Sequence, residues 1–260
     1  MTVVGERVPE HLRELAERVV KAAEADERML AVVAGGSVAT GTSDEYSDLD
    51  LVLVCTPEAH ESVLASAREF AERIGPVLTS FTGEHVGERR LLIVLYGPPL
   101  AHVDLKFVTP EQLAVRVEDG LVLWQRSDVV ERAYAGSAPR WPEADPQWIE
   151  DRFWGWVHYI EVKIARGELF EAIEGLGALR SAAIAPLAVR GRTAKPSGVR
   201  RLETLAPELV PELRATVATA DPEDCRRALR AAVALYRKVR EGVPMVRRTA
   251  AEEAVVDFLG

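Results

Sequence analysis

Apolar residues recur at helical spacing from Pro9 to Asp26, with Leu12, Leu15, Val19, Ala22 and Ala23 on one side and Pro9 near the first turn, which predicts an amphipathic helix. The pattern then changes period. Met29 to Ala34 is a short apolar run that ends in Gly35-Gly36, and Leu49 to Cys55 is a second, entered through the polar turn Thr42 to Ser47. Pro57 to Ile74 returns to helical spacing, and three further strands are expected at Val77 to Phe81, Leu91 to Tyr96 and His102 to Val108. Gly97-Pro98-Pro99 marks the turn between the last two. Thr109 can cap a short helix that opens on Pro110 and runs to about Val115, and Leu121 to Gln125 reads as one more strand.

The stretch Gly136 to Pro146 holds three prolines and no clear period, and a domain boundary is expected there. Beyond it only helices are expected, over about 146–165, 167–189, 205–219, 221–241 and 249–259. Helices and strands alternate before the boundary and helices alone follow it. The expected fold class is therefore α+β: a domain over 1–135 with a mixed sheet flanked by helices, then an all-helical domain over 146–260.

Composition narrows the function. The 260 residues carry 32 Lys and Arg against 41 Asp and Glu, a net charge of −9, which argues against holding a long nucleic acid on a basic surface. No apolar run is long enough to span a membrane and the first ten residues do not resemble a leader, so a cytoplasmic protein without a membrane partner is expected. Cys55 and Cys225 are far apart, and neither a zinc site nor a disulfide framework is suggested.

The chemistry concentrates in Gly35 to Val54, GGSVATGTSDEYSDLDLVLV, where eleven residues separate Gly36 from Asp48. Side chains alternate along a strand, so Asp48 and Asp50 share one face while Leu49 and Leu51 take the other. Like charges so close call for a cation, and carboxylates suit Mg²⁺. The Gly35-Gly36-Ser37 turn lets backbone approach a ligand closely, and N–H groups at such a turn favour an anion. Asp104 lies between apolar residues on another strand; next to Asp48 and Asp50 it would complete a site for two Mg²⁺ ions.

Gly-Gly-Ser, then Asp-x-Asp, then a later Asp on an apolar strand resembles the nucleotidyltransferase superfamily of DNA polymerase β-type fold, over roughly residues 29–108. The resemblance implies that Ser37 contacts a nucleoside triphosphate, in the cradle expected of Gly35 and Gly36, that Asp48 and Asp50 bind Mg²⁺, and that Asp104 completes the metal site or takes the proton of an acceptor hydroxyl. Arg152 to Leu169 is similar to the helical domain of bacterial antibiotic nucleotidyltransferases, above all the streptomycin-type adenylyltransferases, through Tyr159, Lys163, Arg166 and Glu168. Unlike those enzymes, Leu91 to Tyr96 has no acid, which leaves Asp104, Glu88 or a glutamate of the helical domain as the general base.

On a helix, Ile149, Phe153, Trp156 and Ile160 would form an apolar stripe, with Tyr159 and Lys163 within about 20° of the direction of Arg152. Lys163, with Arg152, is expected to face the triphosphate and Tyr159 to line the site; Trp148, Trp154 and Trp156 are expected in an interdomain core. The resemblance implies transfer of AMP from ATP to a hydroxyl of a small molecule, an aminoglycoside-like or lincosamide antibiotic, with Mg²⁺ and release of pyrophosphate. Adenylylation of a protein or antitoxin-type partner, and a silent nucleotide-binding regulatory module, stand as alternatives.

Overall fold

The structure is a computed structural model that describes residues 8–193 and 195–260, in two compact units that divide between Arg140 and Trp141. In the first unit, a six-stranded mixed sheet runs in the order β3-β4-β5-β2-β1-β6, from β1 (Met29–Ala34), β2 (Leu49–Cys55), β3 (Val77–Gly83), β4 (Glu88–Tyr96), β5 (Ala101–Val108) and β6 (Leu121–Gln125). Among the described residues, β2 and β5 pair in parallel and the other ladders are antiparallel.

Alternation sorts the two faces. Leu49, Leu51, Leu53, Val103, Leu105 and Phe107 are buried on one face, with α1 (Glu10–Glu24) and the successive helices α3 (His60–Ala65) and α4 (Ala67–Ile74) contributing to the same core. Ala31, Val33, Val54 and Val108 point the other way and pack with Leu113 of α5 (Pro110–Ala114) and with Val129 and Val130 of α6 (Val129–Ala135). Asp50, His102, Asp104 and Lys106, by the same alternation, share this second face and are not fully buried.

The second unit is helical: α7 (Pro146–Ala165), α8 (Leu169–Leu179), α9 (Ala185–Ala188), α10 (Leu202–Leu205), α11 (Val210–Ala215), α12 (Pro222–Val239) and α13 (Thr249–Leu259). Its core centres on Phe153, which stacks on Tyr236 at 3.5 Å between ring centroids, with Trp154 edge-on to both. Glu150 is fully buried there and is well satisfied: Tyr236 donates to it at 2.6 Å, the Arg240 guanidinium at 3.0 Å and the Arg248 backbone N–H at 2.9 Å. Burial opposes its ionisation, but these donors outweigh that penalty and hold its pKa below the ordinary carboxylate range. No helix among the described residues is long and apolar enough to cross a membrane.

Several expectations are corrected. The helix expected over Pro57–Ile74 breaks at Ser66, whose hydroxyl bonds back to the Ser62 carbonyl at 2.8 Å and competes with the ladder. The helix expected over 167–189 passes through a π-helical turn at Arg180–Ile184, because Pro186 has no N–H for the α-helical ladder and its ring crowds the preceding turn. Pro207 and Pro211 divide the helix expected over 205–219 into shorter turns. Two helices, α2 (Gly36–Thr40) and α6, were not expected. On α7 the buried stripe is Ile149, Phe153, Val157, Ile160 and Ile164, with Trp154 beside it; Trp156 sits on the flank instead. Trp154 therefore belongs to the helical unit's own core, while Trp148 is 44% exposed.

Candidate active site

Parallel pairing of β2 with β5 sets Asp50 directly opposite Asp104. Both side chains leave the same face of adjoining strands, so two carboxylates are brought together from positions 54 residues apart. Asp48 lies immediately before β2 and is near enough for its charge to act on Asp104. Burial chiefly, and the Asp48 charge in addition, push the Asp104 carboxyl above its ordinary pKa, while His102 opposes both through its Nε2, 3.0 Å from Asp104 Oδ1.

The Gly35-Gly36 turn closes on the same aspartates from β1. Gly35 N–H donates to the Asp50 carbonyl at 2.9 Å, which ties the turn to β2. Gly36 has φ of +54°, and a Cβ there would stand 2.1 Å from Asp50 Oδ2. Glycine is thus required twice at this position, by the backbone conformation and by the carboxylate against it. Beyond the turn, α2 ends at Gly41, with φ of +66°, and Thr42 N–H bonds back to the Ser37 carbonyl at 3.0 Å. The Ser37 hydroxyl accepts from Ser43 Oγ at 3.1 Å, and Asp44 to Ser47 form a tight turn that delivers Asp48.

Among the described residues, no group of three or more His, Cys, Asp and Glu side chains is closed around a metal position. The donor chemistry nevertheless fits a hard cation. Asp50 and Asp104 are neighbours in register, Asp104 is pushed up in pKa by burial and then by the Asp48 charge, and a divalent ion would offset the crowding of the carboxylates.

The other candidates have partners of their own. Glu88, at the start of β4, is held by Arg90 at 2.6 Å and Lys106 at 2.9 Å, and chiefly the Arg90 hydrogen bond brings its pKa down to about 2, so it is a poor general base. On the helical unit, Lys163 is paired with the Glu168 carboxylate and lies over the Tyr159 ring, Tyr159 donates to Glu171 at 2.7 Å, and Arg152 lies 4.2 Å from the Trp148 ring centre.

Two features escaped the sequence reading. Glu118, in the connection before β6, accepts the Gly36 N–H at 3.1 Å; its only sequence signal is an acid near the end of a loop. The second is a basic stretch: from 175 to 202 the chain has Arg180, Arg190, Arg192, Lys195, Arg200 and Arg201 and no acid, in a chain of net charge −9. Arg180 is part-buried, donates to the Thr216 carbonyl at 2.7 Å rather than to a carboxylate, and is pushed down in pKa by burial. A count of charge by segment would have found it.

A family model described as "Nucleotidyltransferase domain" matches residues 12–90, which takes in the Gly35-Gly36 turn, Asp48 and Asp50 and stops short of Asp104. The first unit accordingly has a nucleotidyltransferase-like fold, with the catalytic potential of that fold, and the all-helical region follows it. No curated protein matches the chain significantly. Among solved structures, it is similar to an aminoglycoside 6-adenyltransferase from Bacillus subtilis (16% identity, TM-score 0.41, 95% of this chain and 97% of that one). It is also similar to a nucleotidyltransferase-like protein from Exiguobacterium sibiricum (11%, TM-score 0.38, 86% and 74%) and to the Thermotoga maritima CCA-adding enzyme complexed with tRNA (13%, TM-score 0.38, 99% and 70%).

Proposed function

We propose that the protein is an enzyme that transfers AMP from ATP to a hydroxyl of a small, aminoglycoside-like molecule and releases pyrophosphate. One observation carries the reading: Asp50 and Asp104 stand in register on adjoining strands, with Asp48 beside them and Gly36 turned against Asp50. The match of a nucleotidyltransferase family model to the segment with the turn and the first two aspartates supports it.

Asp48, Asp50 and Asp104 would hold Mg²⁺, which when bound neutralises phosphate oxygens and makes a nearby hydroxyl more acidic. The residues themselves do the rest. Gly35, Gly36 and Ser37 form the wall along which the triphosphate lies, and the missing Cβ at Gly36 lets that wall close on Asp50. Asp104, with Oδ1 engaged by His102, either completes the metal site or takes the acceptor proton. The acceptor oxygen then bonds to the α-phosphorus as the bond from that phosphorus to the pyrophosphate oxygen breaks. Lys163 on α7 is the cation proposed to bind phosphate, and in the structure its ammonium is paired with Glu168.

A polycationic acceptor suits a chain of net charge −9. The test is incubation with Mg²⁺ and each labelled nucleotide in turn, against aminoglycosides, lincosamides and a cell extract. A product heavier by one AMP is expected from ATP and an aminoglycoside. Nucleotide binding without transfer to any acceptor would overturn the reading.

A further inference from the structure

The contact between Glu118 and Gly36 has no part in the reaction as written, yet it joins two segments 82 residues apart at the acidic site. The loop that carries Glu118 is fixed on both sides. Before it, Arg116 donates to the Ser137 hydroxyl at 2.6 Å and carbonyl at 3.0 Å and lies 3.9 Å from the Tyr134 ring centre. After it, Gly120 runs so close to β1 that a Cβ would stand 2.3 Å from Val33 Cγ1 and 2.8 Å from the Ala34 carbonyl oxygen. Glu118 is therefore presented to the turn by an anchored loop.

The turn needs such an anchor. A glycine visits both signs of φ with ease, so nothing in Gly36 itself selects +54°. The Gly35 N–H bond to Asp50 fixes one side of the turn, and the charge-assisted bond from Gly36 N–H to Glu118 fixes the other. Between them the turn is pressed onto Asp50, whose Oδ2 fills the place of the missing Cβ.

We propose that Glu118 is a positioning residue, holding the Gly35-Gly36 turn against the Asp50 carboxylate and so fixing the wall and the ligand on which the Mg²⁺-bound nucleotide is taken. The proposal rests on the nucleotidyl-transfer reading for its ligand and on the contact alone for its mechanics. For this contact reach matters more than charge. A glutamine at 118 can still accept the Gly36 N–H through its amide oxygen, whereas an aspartate keeps the charge but is one methylene too short, and an alanine has neither.

The experiment compares wild type with Glu118→Gln, Glu118→Asp and Glu118→Ala. It reads Mg²⁺-ATP affinity by calorimetry, amide hydrogen exchange over residues 35–40, and kcat and KM for transfer. Glu118→Ala and Glu118→Asp should weaken Mg²⁺-ATP binding about tenfold and raise KM more than they lower kcat. Exchange at Gly36 should quicken in both, with little change in melting temperature, and Glu118→Gln should stay near wild type. Unchanged affinity and exchange in the short variants would overturn the proposal. So would tighter binding in all three, which would mean that the carboxylate competes with phosphate for the Gly36 N–H. A wild-type protein that binds no nucleotide would sink the nucleotidyl-transfer reading instead, and the exchange rates alone would then judge whether Glu118 holds the turn.

Discussion

At Gly36 a single hydrogen atom stands where any other residue would carry a side chain, and Asp50 Oδ2 uses that space. Gly36→Ala is expected to strain the backbone by about 1–2 kcal/mol, since φ of +54° disfavours a Cβ, and to push Asp50 out of place. The protein should remain folded by circular dichroism while transfer falls at least a hundredfold; near-normal turnover would show that Asp50 does not depend on this close approach. The sequence made part of this legible. Glycine beside an Asp-x-Asp motif signals close approach, and strand alternation placed Leu49 and Leu51 in the core. What it could not give was the partner of Gly36, because Glu118 lies in a loop without periodicity and meets the turn only through tertiary structure.

Among the elements, β4 and β5 carry a pH-sensitive link. Glu88 on β4 has its pKa lowered to about 2 by Arg90 and, across the strands, by Lys106. A carboxyl held below its unfolded value near 4.5 contributes stability that is complete above that value and is lost as pH falls toward 2. Discounted for its partial exposure, the contribution is about 1 kcal/mol. Urea denaturation of wild type and Glu88→Gln should therefore differ by that amount at pH 6 and converge as pH falls from about 4.5 toward 2; a constant difference would contradict the ion-pair account.

The helices of the second unit meet at Glu150 of α7, which receives Tyr236 and Arg240 of α12 and the backbone just before α13. Glu150→Ala leaves the Arg240 guanidinium in a site where it is 9% exposed, with Glu252 as its remaining ion-pair partner. The expected loss is about 3–5 kcal/mol, against less for Glu150→Gln, which keeps the acceptor. A loss under 1 kcal/mol in the alanine variant would show that the pair is dispensable. Strands of one hydrophobic period were read from sequence with little error, as at Met29–Ala34 and Leu121–Gln125. Errors gathered where a local feature interrupts a long helical pattern: the Ser66 hydroxyl, Pro186, Pro207. Glu150 was invisible for a different reason, because a glutamate on a helix looks solvent-facing until its partners from distant helices are known.

For the molecule as a whole, net charge concealed its own distribution. A chain of −9 has a stretch from 175 to 202 with six cations and no acid, and it places carboxylates from separate strands together. Bulk composition argued against a long nucleic acid, but it did not show how unevenly the charge is spread along the chain. For Lys163, the proposed phosphate cation, Lys163→Ala is expected to raise KM for ATP about tenfold with little change in melting temperature. An unchanged KM would remove Lys163 from the nucleotide site.

The central claim is that Asp48, Asp50 and Asp104 act together in nucleotidyl transfer. It is tested most directly by measuring pyrophosphate release from ATP, with an acceptor that the wild type modifies, across a Mg²⁺ titration in wild type and in Asp48→Asn, Asp50→Asn and Asp104→Asn. Mg²⁺-dependent release matched one to one by AMP-modified product in the wild type, and reduced at least a thousandfold in each folded variant, is the predicted result. Release that persists in the Asp50→Asn and Asp104→Asn proteins, or that needs no divalent ion, would contradict it.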